Sequence, residues 1–130
     1  MRKAVVILLA VVLAAGLAGG YLAWRHWDRQ SMMETTFTWA RLAPLPDSAE
    51  DFSIATEGLM FTRAFRVRFT APPADIRRWL ATSPGTTAVL PDTLPDGRSR
   101  YTIIPGGGAQ HAEVTVDETT GAVDIYACWS

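Results

Sequence analysis

Ala4 to Trp24, AVVILLAVVLAAGLAGGYLAW, is an apolar run of 21 residues without a single charge. A helix rises about 1.5 Å per residue, so about 20 such residues cross a hydrocarbon core about 30 Å thick. A helix also satisfies its own backbone polar groups in lipid, which an isolated strand cannot do. Arg2 and Lys3 precede the run, and the positive-inside rule keeps them in the cytoplasm. Trp24 and Trp27 stand where amphipathic indoles favour the membrane interface. Residues 1–24 are therefore expected to form a transmembrane anchor or uncleaved signal. The expected product is single-pass in the cell membrane, its N-terminus cytoplasmic and its domain periplasmic or extracellular.

The competing reading is a cleaved signal peptide. Ala14-Ala15-Gly16 and Ala18-Gly19-Gly20 both have the small side chains of a cleavage site. Apolarity continues past both through Tyr21, Leu22 and Ala23, which favours retention. Gly16 and Gly20 form a GxxxG pair, so helix dimerisation and a weak homodimer are one expectation. Ordinary small residues of a signal-like segment are the plainer account.

After Trp24, 106 residues remain, enough for one domain. Phe52, Phe61, Phe65, Phe69, Trp79 and Trp129 are the large candidates for its core. From Arg25 onward the chain holds ten Arg, no Lys and thirteen acids. That balance gives no electrostatic case for nucleic acid. Cys128 is the only cysteine, so no internal disulfide can close. A buried thiol is expected there, with an intermolecular bridge as the alternative.

Residues 25–43 read as a juxtamembrane linker and 44–130 as an extracytoplasmic α+β domain. The membrane helix is expected to run on to about Ser31. Thr35 to Trp39 alternates polar and aromatic residues, as a short strand or a juxtamembrane segment would. The prolines of 41–46, RLAPLP, make a stiff connector. Asp51–Glu57 and Leu59–Phe69 alternate as strands, with Glu57-Gly58 turning between them in a hairpin. Pro72-Pro73 then opens a helix whose apolar stripe is Ile76, Trp79 and Leu80, and Ser83-Pro84-Gly85 ends it. Thr86–Leu90 suggests a brief strand and Tyr101–Ile104 a clearer one. Gly106–Gly108 reads as a flexible loop, because the Lys-Ser/Thr of a phosphate loop is missing. His111–Val116 and Ala122–Trp129 flank the turn 117–121. The sum is an antiparallel sheet of about five strands with one helix packed on one face.

LPDSAEDF (45–52), RFTAPPADIRRWL (68–80), SPG (83–85) and VDETTGAVDIYACWS (116–130) resemble recurring pieces of short, exported bacterial proteins of unassigned function. The resemblance implies a small membrane-tethered envelope protein. It carries no catalytic residue and no ligand.

Candidate chemistry is sparse. A Ser99, His111, Asp117 set can be written down, yet HExxH and GxSxG are absent. Asp117, Glu118 and Asp124 lack the ligand count of a dedicated calcium site. No cofactor or metal is expected. Arg63, Arg66, Arg68, Arg77 and Arg78 are the charged residues of most interest, although the strand and helix arginines point apart and need not form one patch. Arg66 and Arg68 share the outer sheet face, where they can meet lipid phosphate or an acidic partner. The plainer account pairs them with acids such as Glu57 and Glu113. Three functions follow. The first is a non-enzymatic envelope protein that binds a partner protein or envelope component. The second is an immunity or inhibitor-like protein against an exported toxin, and the third a small hydrolase using His111.

Overall fold

The structure is a computed structural model that describes residues 2–58 and 62–129. Packing divides the chain into two compact units, Met1–Ser31 and Met32–Ser130. The first unit is helical. Helix α1, Arg2–Ala40, is the one described helix long and apolar enough to cross a membrane, with mean hydropathy 2.5 in its most apolar stretch.

The second unit begins with the last turns of α1. Thr35–Trp39 is helical, not a strand, and the segment read as a linker is helix as far as Ala40. The reason is tertiary. Thr36 and Ala40 lie one turn apart and both are fully buried, so a helix presents both to the core. The Thr36 hydroxyl donates to the Met32 carbonyl at 2.8 Å, which satisfies it without water. α1 stops in a Schellman-type cap. Leu42 N–H donates to the Phe37 carbonyl at 3.0 Å and Arg41 N–H to the Thr38 carbonyl at 3.3 Å. Arg41 takes a left-handed φ of 53° to make this turn.

Next come β1 (Glu50–Glu57), β2 (Arg63–Thr70), α2 (Pro73–Thr82), α3 (Pro84–Thr87), β3 (Asp92–Thr93), β4 (Ser99–Ile103), β5 (His111–Asp117) and β6 (Ala122–Trp129). The sheet is antiparallel throughout, in the order β1-β2-β6-β5-β4-β3. The α+β architecture stands, with six strands among the described residues where about five were expected. Leu59, Met60 and Phe61, expected to begin the second strand, lie outside the described residues. Thr86–Leu90 forms no strand. Pro84 starts the short helix α3 instead, in which the Thr86 hydroxyl donates to the Leu80 carbonyl at 2.6 Å. The extra strand, β3, pairs Asp92 and Thr93 with Arg100 and Ser99 inside the expected turn.

The core lies between the inner sheet face and α2. Val67, Phe69, Val114, Val116, Val123 and Ile125 point inward and are buried. α2 lays Ile76, Trp79 and Leu80 over them, and Trp79 meets Phe69 edge-on with ring centres 5.5 Å apart. Trp129, expected inward, is 48% exposed. It sits at the end of β6, past the reach of α2's short stripe. Phe52 is only partly buried, because β1 is an edge strand.

The connector 41–46 is stitched down. Ala43 N–H donates to the buried Ser83 hydroxyl at 3.0 Å, and Trp79 Nε1 donates to the Ala43 carbonyl at 2.9 Å. Gly85 N–H donates to the Arg41 carbonyl at 2.7 Å and Gly106 N–H to the Trp39 carbonyl at 2.9 Å. The glycine loop 106–108 is thus a seat for the helix end. A Cβ at Gly107 would stand 2.9 Å from Trp39 Cδ1, and one at Gly85 would strike the Ala40 carbonyl oxygen. Gly85 is thus set by a backbone neighbour and Gly107 by the Trp39 ring, while Gly107 and Gly108 also take left-handed φ values of 63° and 85°.

Candidate interaction surface

Strand alternation sends every second residue of β1, β2, β6, β5 and β4 to the face opposite α2. The pairings place Ala55, Arg66, Tyr126, Glu113 and Thr102 in one row across that outer face. Ser53, Arg68, Asp124, Thr115 and Arg100 form the next.

Arg66 and Arg68 are therefore neighbours on the outer face, as the alternation requires. Each is already engaged. Arg66 Nε donates to Glu57 Oε1 at 2.8 Å and its Nη1 to Asp124 Oδ1 at 2.8 Å. Arg68 Nε donates to the other Asp124 oxygen at 3.0 Å. The Arg66 guanidinium lies 4.9 Å from the Tyr126 ring centre, a cation–π distance. The hydrogen bond to Glu57 chiefly holds the Arg66 pKa above its ordinary value. Two cations and two carboxylates balance here. Lipid phosphate or an acidic partner would have to displace Asp124 from Arg68, the more exposed of the two arginines. Of the acids anticipated for this face, Glu57 and Glu113, Glu57 pairs with Arg66. Asp124 is the one the sequence hid, because its partners lie 58 and 56 residues away.

Glu113 serves His111 instead, with Nε2 and Oε2 at 3.2 Å. His111 also packs against Tyr126 at 6.3 Å between ring centres. Burial, and then Cys128, raises the Tyr126 phenol's pKa. Cys128 is half-buried and faces outward beside His111, not into the core.

The Ser99, His111, Asp117 set does not assemble. His111 and Asp117 are the two ends of β5, six residues and about 20 Å apart. Ser99 pairs with Val116, at the far end from His111. Asp117 spends its carboxylate on the turn, accepting from Thr119 N–H at 2.9 Å and Thr120 N–H at 3.3 Å. Among the described residues no group of three or more His, Cys, Asp or Glu side chains is placed to hold a metal ion. Arg78 approaches Asp75 at 4.0 Å on α2, away from the sheet arginines. In the first unit, an added Cβ at Gly16 or Gly20 would meet nothing within 4 Å, so that helix face is open.

Two features had no sequence signal. One is an open, mainly apolar groove of about 690 Å³ along the end of α1, lined by Met33, Phe37, Leu42, Pro44, Leu45 and Pro84. The other is the contrast between the sheet's edges. One edge is the two-residue β3, while the other is the eight-residue β1, exposed along most of its length. No protein-family model, no curated protein and no solved structure matches this chain.

Proposed function

We propose that this chain is a single-pass envelope protein whose extracytoplasmic domain binds a partner protein or envelope component and catalyses no reaction. Arg2 and Lys3 hold the start of α1 in the cytoplasm, and the domain lies on the far side of the membrane. The observation that carries the reading is the long, uncovered strand β1. Its outer N–H and C=O groups remain available to a further strand, a common mode of peptide recognition. The neighbouring outer face, with Arg68 at its exposed rim, would complete the contact.

The test is site-specific photocrosslinking in the native cell. A photoreactive residue at Ser53 or Arg68 should give a discrete adduct, while one at exposed Arg77 on α2 should not. No adduct from either sheet position, or equal adducts from all three, would end the reading.

A further inference from the structure

We infer that the open edge of β1 takes an extended, basic segment of another protein as a seventh strand, rather than a second copy of itself. The inference rests on the partner-binding reading and names the surface and the partner's chemistry.

From Ser53 to Glu57, β1 pairs with β2 in unbroken register, so this run is straight enough to template another strand. The irregularity lies before it, between Glu50 and Ser53, where Asp51 takes a φ of 51°. That extra residue puts Glu50 opposite Thr70, on the same face as Ser53, Ala55 and Glu57. The outer row of β1 thus begins and ends in a carboxylate. The inner row carries two apolar side chains, Phe52 and Ile54, followed by Thr56. Phe52 and Ile54 pack against the core yet stay partly exposed, because no strand lies beyond them. A seventh strand would cover them with its own apolar side chains.

Charge then chooses the occupant. In a fully overlapped antiparallel pair of β1 strands, Glu50 of each copy faces Glu57 of the other. Like charges directly opposite each other oppose pairing, and opposite charges favour it. Charged edges are a common guard against self-association. Glu57 already accepts from Arg66 at 2.8 Å through Oε1, yet its side chain stays 45% exposed, so with Glu50 it still favours a strand with Lys or Arg at both ends of one face and apolar residues on the other. β1 carries no basic residue to weaken that preference.

The experiment uses the full-length, isotope-labelled chain in zwitterionic detergent micelles. The probe is a capped peptide, Lys-Val-Ser-Val-Thr-Val-Lys. Its control is Glu-Val-Ser-Val-Thr-Val-Glu. Amide shifts are followed as each is added. The lysine-ended peptide should shift the β1 amides and bind about tenfold or more tighter than the control. Glu50→Lys should reduce that ratio, and Glu50→Lys with Glu57→Lys should reverse it; circular dichroism confirms that both variants fold. Equal binding of the two peptides, shifts confined to β4 or the outer face, or no shift at all would overturn the inference. If crosslinking finds a partner while the peptide fails, the partner-binding reading survives and the edge assignment falls. Peptide binding at β1 without any cellular adduct would support the edge chemistry and overturn the reading it rests on.

Discussion

Gly85→Ala tests whether the end of α1 is part of the domain's core. Helix propensity alone makes the change favourable, by up to about 1 kcal/mol inside a helix. Packing predicts the opposite sign. The new methyl would strike the Ala40 carbonyl oxygen, with Ile103 Cγ2 at 3.0 Å and the Arg41 carbonyl oxygen at 3.1 Å behind it. Two of these three contacts are backbone, so the helix end must move. Overpacking of this kind costs about 1–3 kcal/mol. The 2.7 Å bond from Gly85 N–H to the Arg41 carbonyl would stretch or break. Its loss costs about 0.5–1.5 kcal/mol. Less the propensity gain, the net destabilisation is about 0.5–3.5 kcal/mol, centred near 2. A domain of this size loses about 4–8 °C in Tm per kcal/mol, so a fall of about 8–16 °C is expected at the centre. Thermal unfolding of the full chain in detergent, followed by near-ultraviolet circular dichroism, reads it directly. A Tm equal to or above that of the parent would show that α1 does not seat on Gly85.

Other outcomes follow from the same contacts. Ser83→Ala strands the Ala43 N–H and should cost about 1–3 kcal/mol in denaturant unfolding; a change below a few tenths would mean water replaces the hydroxyl. Arg41→Gly relieves the left-handed residue at the end of α1 and should stabilise by about 0.5–1 kcal/mol in the same assay. The Tyr126 and Tyr101 phenols, both held protonated mainly by burial, have folded pKa values above the ordinary 10.0. Folding therefore binds protons there, so stability is full below 10 and falls as pH rises through the raised values. Denaturant midpoints at about pH 8 and pH 11 should show this fall, and Tyr126→Phe should reduce it.

Local periodicity made much of this fold readable. Ile76, Trp79 and Leu80 predicted a helix face, and the alternation through Phe65, Val67 and Phe69 predicted the strand it covers. The misreadings share a cause, since each depended on a neighbour distant in sequence. Thr35–Trp39 alternates like a strand, but the buried site for Thr36 and Ala40 selects helix. Gly106 and Gly107 look like slack until Arg41 and Trp39 are set against them. The outer arginines were found because alternation is local. Their shared acid, Asp124, needed the β2–β6 register, which no short window contains. The open edge of β1 is a property of strand order and leaves no trace in the residues of β1 themselves.

The seating of residues 32–40 bears on how the protein can mature. Both stretches resembling peptidase sites, 14–16 and 18–20, lie upstream of Met32, where the second compact unit begins. A cut at either would discard most of the greasy segment and spare every hydrogen bond that holds Trp39, Arg41 and Ala43 in place. Tethered and released forms would thus share one folded body, and their difference would be an address rather than a shape.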